Sequence, residues 1–402
     1  MRNSNQTHTG IPNGSQTTSS NTIPTAIEAV EERRALLTSL TKLNRGVFLG
    51  AESIDDSNSF VGNIENYVGM TMVPTGVMGP IVVHGTKANG EYYVPLATSE
   101  GALVASYHRG AKACSVSGGV TSMCVKEGVQ RSPTFAFSNL EEAGVFIAWT
   151  TTQKEAFKAE ASKMSRFGEM QDMKVHLESS QVTLIFEYTT GDASGQNMVT
   201  ICTDAVCRYI LENTPVQPRK WYIEGNFSGD KKATASALNH VRGKKVIAEV
   251  ELKPEVVASV LKSNPENIVE YWKNSTLNII QSGALGAQGH YANGLTALFM
   301  ATGQDVACIA EAGMGVTRME IRPSGNLYVS VTLPNLIVGT VGGGTSLPTQ
   351  AECLKMMDCY GAGNAVKFAE ICAATVLAGE ISIAAAIAEG HFTSAHKNLG
   401  RK

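Results

Sequence analysis

The chain has 402 residues, with 33 Lys+Arg against 36 Asp+Glu and a formal net charge of −3. That balance excludes the basic face of a nucleic-acid binder and a polybasic membrane contact, while the length allows a large core in two or more lobes. No apolar run reaches ~18–20 residues and no signal-type apolar core stands near the start, so neither a membrane span nor secretion is expected. The 8 cysteines show no Cys-x-x-Cys pair and no zinc-like spacing, which points to a reducing cytosol, no disulfides and no metal site.

Residues 1–23 are rich in Asn, Ser, Thr and Gly and nearly devoid of apolar side chains. Such a segment cannot bury enough surface to order itself, and a disordered tail is expected. Thr25 and Glu28 have capping-box spacing. They open a helix with Ile27, Val30, Leu37 and Leu40 along one face, within an N-terminal helical segment 24–64. Next, Glu100 stands alone among small residues in Thr98-Ser99-Glu100-Gly101-Ala102. It reads either as a buried acid with a raised pKa, able to donate a proton, or as an acid beside a helix N-terminus.

A distinct module follows from Arg131 to Gly225. A strand is expected over 132–137, then a helix capped by Ser138 and Glu141 and running to 164. Strands over 174–178 and 181–189 come next, the second alternating Val182, Leu184, Phe186 and Tyr188. A glycine turn at Gly191–Gly195 opens a second helix to 213, and a strand over 220–226 closes the set. The order is βαββαβ, the ferredoxin-like pattern. Arg131 at its entry is either a bidentate carboxylate partner or a surface arginine, and Arg166 either a phosphate partner or the same. The turn Asp192-Ala193-Ser194-Gly195-Gln196-Asn197 is either a phosphate or amide site at a helix N-terminus or an ordinary Asp-capped turn.

After the module, Asp230-Lys231-Lys232 lies on a glycine-bearing loop. It is either an oxyanion clamp or a solvated charged turn. A strand is expected over 245–252 and two apolar helices within 274–302. Asp305, at the end of the second, needs a cation, Lys231 or Lys273, if it is partly buried. A strand over 327–333 leads to Gly339-Thr340-Val341-Gly342-Gly343-Gly344-Thr345. Strand, glycine loop and helix make either an anion site or a tight structural turn, and the run is neither a Walker A loop nor a Rossmann fingerprint. Residues 364–391 read as an Ala/Ile-rich helix, apolar nearly all round and so central to the core. His396 and His391 compete as a mobile general acid.

Taken in order, these segments resemble 3-hydroxy-3-methylglutaryl-coenzyme A (HMG-CoA) reductase of class I, the eukaryote/archaeal class. The likeness extends from about Glu65 to His396. It is carried by Glu65-Asn66-Tyr67-Val68-Gly69, Thr98-Ser99-Glu100-Gly101, Asp230-Lys231-Lys232, Gly303-Gln304-Asp305, Gly339–Thr345, and Leu377-Ala378-Gly379-Glu380 leading to Ser394-Ala395-His396.

The resemblance implies an α+β fold: a large helix-centred lobe (65–131 and 234–402) with an inserted ferredoxin-like βαββαβ dinucleotide-binding module (132–223), joined by a catalytic loop (224–233). It implies reduction of HMG-CoA to mevalonate and free coenzyme A with two equivalents of NADPH, in a cytoplasmic homodimer or homotetramer whose sites lie at the subunit interface. Lys231 matches the lysine that stabilises the oxyanion, Asp305 the acid beside it, Glu100 the proton donor, and His396 the acid that protonates the departing thiolate. Arg131, Ser106, Lys232, Asn293 and Asn66 match substrate or coenzyme A contacts. Ser165, Arg166, Asp192, Gly195, Asn197, Gly342, Gly343, Gly344 and Thr345 match cofactor contacts. Three positions depart from the pattern. Ser194 and Gln196 stand where the family's turn usually carries methionines. Glu224 stands where relatives often have a small polar residue, and an acid there repels a carboxylate unless it points away.

Overall fold

The computed structural model describes residues 60–390 together with positions 32 and 35. The tail 1–23, the Thr25–Glu28 cap, most of the segment 24–64, and both His391 and His396 lie outside the described residues. Contact density divides the chain into Met1–Met72 and Val73–Lys402. In the first unit the described residues form a turn and extended chain, with the rings of Phe60 and Tyr67 stacked at 4.6 Å. Asn66 there has φ 53°, the left-handed region that asparagine tolerates best after glycine.

The second unit opens with a hairpin, β1 (Thr75–Gly85) and β2 (Asn89–Ala97), then helix α1 (Leu103–Val116) and the 12-residue strand β3 (Val120–Arg131). The first part of β3 pairs antiparallel with β8 (Gly243–Leu252), and β8 pairs with β10 (Leu327–Leu336), which also pairs with β9 (Val316–Ile321). The last residues of β3, Val129–Arg131, pair instead with β6 (Gln181–Thr189). One strand thus serves two halves of a 10-stranded sheet.

Beyond β3 come β4 (Thr134–Ala136), α2 (Leu140–Thr152), α3 (Lys154–Met164), β5 (Glu169–Glu178), β6, α4 (Gln196–Asn213) and β7 (Lys220–Tyr222). Their lateral order, β7-β4-β6-β5, is antiparallel throughout and matches the ferredoxin-like pattern. A separate apolar cluster built on Phe135, Phe146, Phe157 and Phe186 fills this part. Three local expectations shift. The helix cap is Asn139, which accepts the Glu142 N–H at 2.8 Å while Glu142 accepts the Ser138 N–H at 2.9 Å; the reciprocal box sits one residue later than Ser138/Glu141 would place it. The helix breaks at Gln153. The closing strand ends at Tyr222 because the chain then turns toward the loop of Lys231.

The larger part packs α5 (Pro265–Gln281), α6 (Tyr291–Thr302), α7 (Pro348–Met356) and α1 around α8 (Ala365–Ala388). Helix α5 starts earlier than expected, capped by Asn264, which accepts the Asn267 N–H at 2.8 Å. The start of α5 carries an Asn-Pro signal. Helix α8 is long and apolar enough to cross a membrane by length and composition, yet 83% of its most apolar window is buried inside the protein. Small residues allow that packing: a Cβ added at Gly110 of α1 would stand 1.9 Å from the carbonyl oxygen of Ala378 on α8.

Two carboxylates of α8 are fully buried or nearly so, and both are engaged. Glu370 accepts the N–H groups of Thr86, Lys87 and Ala88 at 3.1, 2.9 and 2.8 Å. The β1–β2 turn is therefore an anion nest folded around a helix side chain. Glu380 accepts N–H from Gly289 and His290, each at 2.7 Å, with the His290 ring at 3.0 Å and the Thr317 hydroxyl at 2.7 Å. Burial alone would raise the Glu380 carboxyl, but the hydrogen bonds and charge of His290, then Thr317, hold it below the ordinary carboxylate value.

Glu370→Ala is expected to lower stability by about 2–3 kcal/mol, since one buried and two partly buried N–H groups lose their acceptor. A denaturant midpoint equal to that of the parent chain would refute this role. Because the folded Glu380 pKa lies below its unfolded value, its contribution is present above the unfolded pKa (roughly 4) and is lost as pH falls through the folded one. Glu380→Gln should flatten that acid-side loss in a stability-versus-pH series; an unchanged acid limb would count against it.

Candidate active site

The loop after β7 is shaped by backbone that ordinary residues avoid. Asn226 and Lys231 have φ 63° and 56°, and Gly229 has φ 75°. A lysine in the left-handed region is strained unless its surroundings hold it there. Here the Lys231 N–H donates to Glu311 at 3.3 Å, and the preceding Asp230 is gripped by two arginines. With the backbone so held, the Lys231 ammonium meets Asp305 at 2.8 Å.

Asp305 arrives from the other side. Gly303, φ 69°, ends α6 in the left-handed conformation typical of a helix stop. Asp305 then caps the next turn by accepting the Ala307 N–H at 3.0 Å. Of the two cations proposed for this acid, the structure selects Lys231. The hydrogen bond to Asp305 raises the Lys231 pKa, outweighing the downward pull of partial burial, with the Asp305 charge adding to it. The two side chains remain 45% and 42% exposed, so the charge is both secured and reachable.

Of the two readings of Glu100, the structure favours the acid beside a helix N-terminus: it lies exposed on the loop between β2 and α1, two residues before Ala102, the N-cap of α1, whose φ is 72°. The Glu100 N–H donates to the Thr98 hydroxyl at 3.0 Å, and Asn293 Nδ2, near the start of α6, donates to its carboxylate at 3.4 Å. Ser106 on α1 shares a 2.9 Å hydrogen bond with Ser382 of α8, which also accepts from Arg109. Lys232 is exposed and donates to the Asp230 carbonyl at 3.0 Å.

Arg131, at the end of β3, is buried. Its Nη1 lies 3.2 Å from Glu224 and 3.4 Å from Asp230, and its Nη2 donates to the carbonyl and side chain of Gln196, both at 3.3 Å. Glu224 does not point away; it sits on the guanidinium. Beside it lies Arg242, 1% exposed, which pairs with Asp230 at 3.0 Å and with Glu311. Arg242 also donates to the carbonyls of Gln130 and Ser228 at 3.1 and 3.3 Å. Burial raises the Glu311 carboxyl, partly offset by Arg242. Arg242 and Glu311 escaped the sequence reading. Glu311 stands alone among apolar residues, the same signal that singled out Glu100.

The glycine loop lies against both neighbours. A Cβ on Gly344 would stand 2.6 Å from the Gly303 carbonyl oxygen, and one on Gly339 2.6 Å from the Ser194 nitrogen. Gln304 clamps Gly339 through two hydrogen bonds of 3.0 and 2.9 Å. Gly342 and Gly343 have φ 74° and 55°, with open space where a Cβ would stand. Thr345 bonds back to the Gly342 carbonyl at 2.7 Å. The Asp192 carboxylate accepts N–H from Gly363 and Ala365 at 2.7 and 3.0 Å, so it caps the start of α8 rather than facing a ligand. The next helix, α4, begins at Gly195 (φ 81°) with no side-chain cap, and Asn197 in its first turn is exposed. Ser165 accepts the N–H groups of Phe167 and Gly168, and the exposed Arg166 lies 5.6 Å from the Phe167 ring centre.

Thus Lys231, Asp305, the glycine loop and the Asp192–Asn197 turn are joined by contacts, Glu100 and Asn293 form a second pair, and Arg131 shares Asp230 with Arg242. The groups can present a cation to a developing negative charge, beside open glycine backbone suited to phosphate or amide groups. Among the described residues no group of three or more His, Cys, Asp or Glu could hold a metal ion.

The family profile described as hydroxymethylglutaryl-coenzyme A reductase matches residues 29–401. The protein named 3-hydroxy-3-methylglutaryl-coenzyme A reductase in Aeropyrum pernix is 43% identical over 387 residues, covering 94% of this chain and 90% of that one. Its namesake in Pyrococcus abyssi is 42% identical over 361 residues, 88% of each chain. Reductase 1 of Oryza sativa subsp. japonica is 38% identical, covering 83% of this chain and 64% of that one. The fold is similar to that of the class II reductase of Streptococcus pneumoniae solved with NADPH, at a TM-score of 0.67 and 18% identity, covering 89% of this chain and 96% of that one. The chain belongs to the hydroxymethylglutaryl-coenzyme A reductase family.

Proposed function

We propose that this chain reduces HMG-CoA to mevalonate and free coenzyme A with two equivalents of NADPH. The observation that carries the reading is the Lys231–Asp305 pair at 2.8 Å, seated against the glycine loop through Gly303 and Gly344.

The cofactor fits the residues present. Gly342 and Gly343, at φ values a side chain would strain, leave open backbone where a ligand phosphate or amide can approach. The uncapped first turn of α4, with Gly195 and Asn197, leaves N–H groups for a phosphate or amide. Arg166 and Ser165 lie near one another for a 2′-phosphate. When bound, NADPH supplies hydride. Lys231 keeps its proton beside Asp305 and presents positive charge to the carbonyl oxygen as negative charge develops there. Glu100 gives a proton to the reduced oxygen. It is exposed in the free chain, within reach of a bound substrate. His396 protonates the departing thiolate. Ser106, Arg131, Lys232 and Asn293 hold the acyl group, and Asn66 contacts coenzyme A.

The domain scheme that goes with this reading is a large domain (65–131 and 234–402), a small cofactor domain (132–223) and a catalytic loop (224–233). Membership of class I is supported by 38–43% identity to archaeal and plant relatives against 18% to the class II enzyme. A homodimer or homotetramer with shared sites, in the cytoplasm, completes the proposal. The eight unpaired cysteines support a reducing compartment.

Following cofactor absorbance and free thiol together with HMG-CoA should show two NADPH oxidised per thiol released. Lys231→Ala should lower turnover by about 10³-fold while NADPH and substrate still bind; unchanged turnover would sink the mechanism. Asp305→Asn removes the group that raises the Lys231 pKa, so activity should be lost at a lower alkaline pH than in the parent enzyme. A pH–rate profile whose basic limb stays in place would show that Asp305 does not act through Lys231.

A further inference from the structure

Among the described residues, 7 buried side-chain N or O atoms lack a hydrogen-bond partner, and 4 of them fall in one cluster: Arg131 Nε, Ser132 Oγ, Gln196 Nε2 and Glu224 Oε1. Buried polar atoms are seldom left unpaired, so their gathering marks a place where a polar ligand completes the bonding. The Arg131 side chain is only 8% exposed. Its Nη1 and the Ser132 N–H both address Glu224 Oε2, each at 3.2 Å. One guanidinium N–H and one backbone N–H on a carboxylate oxygen is the arrangement that a ligand carboxylate on Arg131 would adopt.

The local charge makes the two exclusive. Arg131 and Arg242 face Glu224, Asp230 and Glu311, two positive groups against three negative, a net of −1. A further carboxylate in this poorly solvated cluster meets like charge at close range, which costs several kcal/mol in comparable settings. Glu224 is 22% exposed, so it has a route toward water.

We propose that Glu224 is a specificity-determining residue: it occupies, in the free chain, the seat of the distal carboxylate of the acyl group, and a carboxylate-bearing acyl thioester binds only by displacing it. The identity of that ligand rests on the reductase reading; the competition rests on the Arg131–Glu224 geometry.

Glu224→Gln keeps the size and an acceptor for the Ser132 N–H but removes the charge. KM for HMG-CoA should fall about tenfold. KM for the same thioester with its distal carboxylate converted to an amide should change less than about twofold, so the preference for the charged form rises about tenfold. A merely structural role would not move that ratio. Calorimetric binding of free 3-hydroxy-3-methylglutarate should tighten similarly, without any need for turnover. If Glu224→Gln does not fold, Glu224→Asp, which draws the charge back from Arg131, should give the same changes in smaller measure. Affinities for the carboxylate ligands that stay constant overturn the proposal. Weakened affinities overturn it too, and would mean that Glu224 accepts a hydrogen bond from the acyl group. Absence of any reductase turnover, with dicarboxylate binding still tightened by Glu224→Gln, would refute the reductase reading and leave the competition standing.

Discussion

The buried guanidinium of Arg242 is the interaction on which the site depends. A charge at 1% exposure is tolerable only with partners on several sides. Arg242 takes four of them from three places: Glu311 in the short helix after Asp305, Asp230 and the Ser228 carbonyl in the loop of Lys231, and the Gln130 carbonyl at the end of β3. Two carboxylates and two backbone carbonyls thus tie the segments around Lys231 and Asp305 to one guanidinium. Glu311 also holds the loop directly, since its other oxygen receives the Lys231 N–H. The strained left-handed lysine is therefore a product of charge satisfaction one layer beneath it.

The absence of side chains does the complementary work. Gly303 against Gly344, and Gly339 against the Ser194 nitrogen, bring three turns within backbone contact. Any Cβ at these positions would separate turns that carry the acid, the glycine cradle and the start of α4. Asp192 ties the same region to α8 by capping its first turn. Charged groups fix the lysine, and missing side chains fix what surrounds it.

Periodicity made the smaller module legible. Alternation at Val182, Leu184, Phe186 and Tyr188, with glycine punctuation at Gly191 and Gly195, led to the observed order β7-β4-β6-β5, and the apolar run after Asn364 became the buried helix α8. The hairpin β1–β2 was not read from the sequence, and the pairing of β3 with β8 was not legible, because strand pairing across more than a hundred residues leaves no local signature. Among site residues, the Lys231–Asp305 pair was open to reasoning from charge: an acid in apolar surroundings needs a cation. Glu100 was left open between two readings because a lone acid in a small-residue segment is the same whether the loop turns in or out; the structure places it exposed, just ahead of α1. Arg242 was invisible for a related reason. Nothing in Val241-Arg242-Gly243 distinguishes a buried arginine from a solvated one until its partners are known.

The nest formed by Thr86, Lys87 and Ala88 has a consequence for how the chain matures. Its anion, Glu370, comes 284 residues after Thr86. At translation rates of about 5–20 residues per second, those three N–H groups wait roughly 15–60 s for their acceptor to be synthesised. During that interval the β1–β2 hairpin exposes apolar side chains that α8 later covers. The larger part of the fold is thus completed last to first, by a helix near one end of the chain closing on a turn near the other. Such long-range closure is slow and leaves nascent chains open to wrong partners, so the yield of folded protein depends on what shelters that hairpin while α8 is being made.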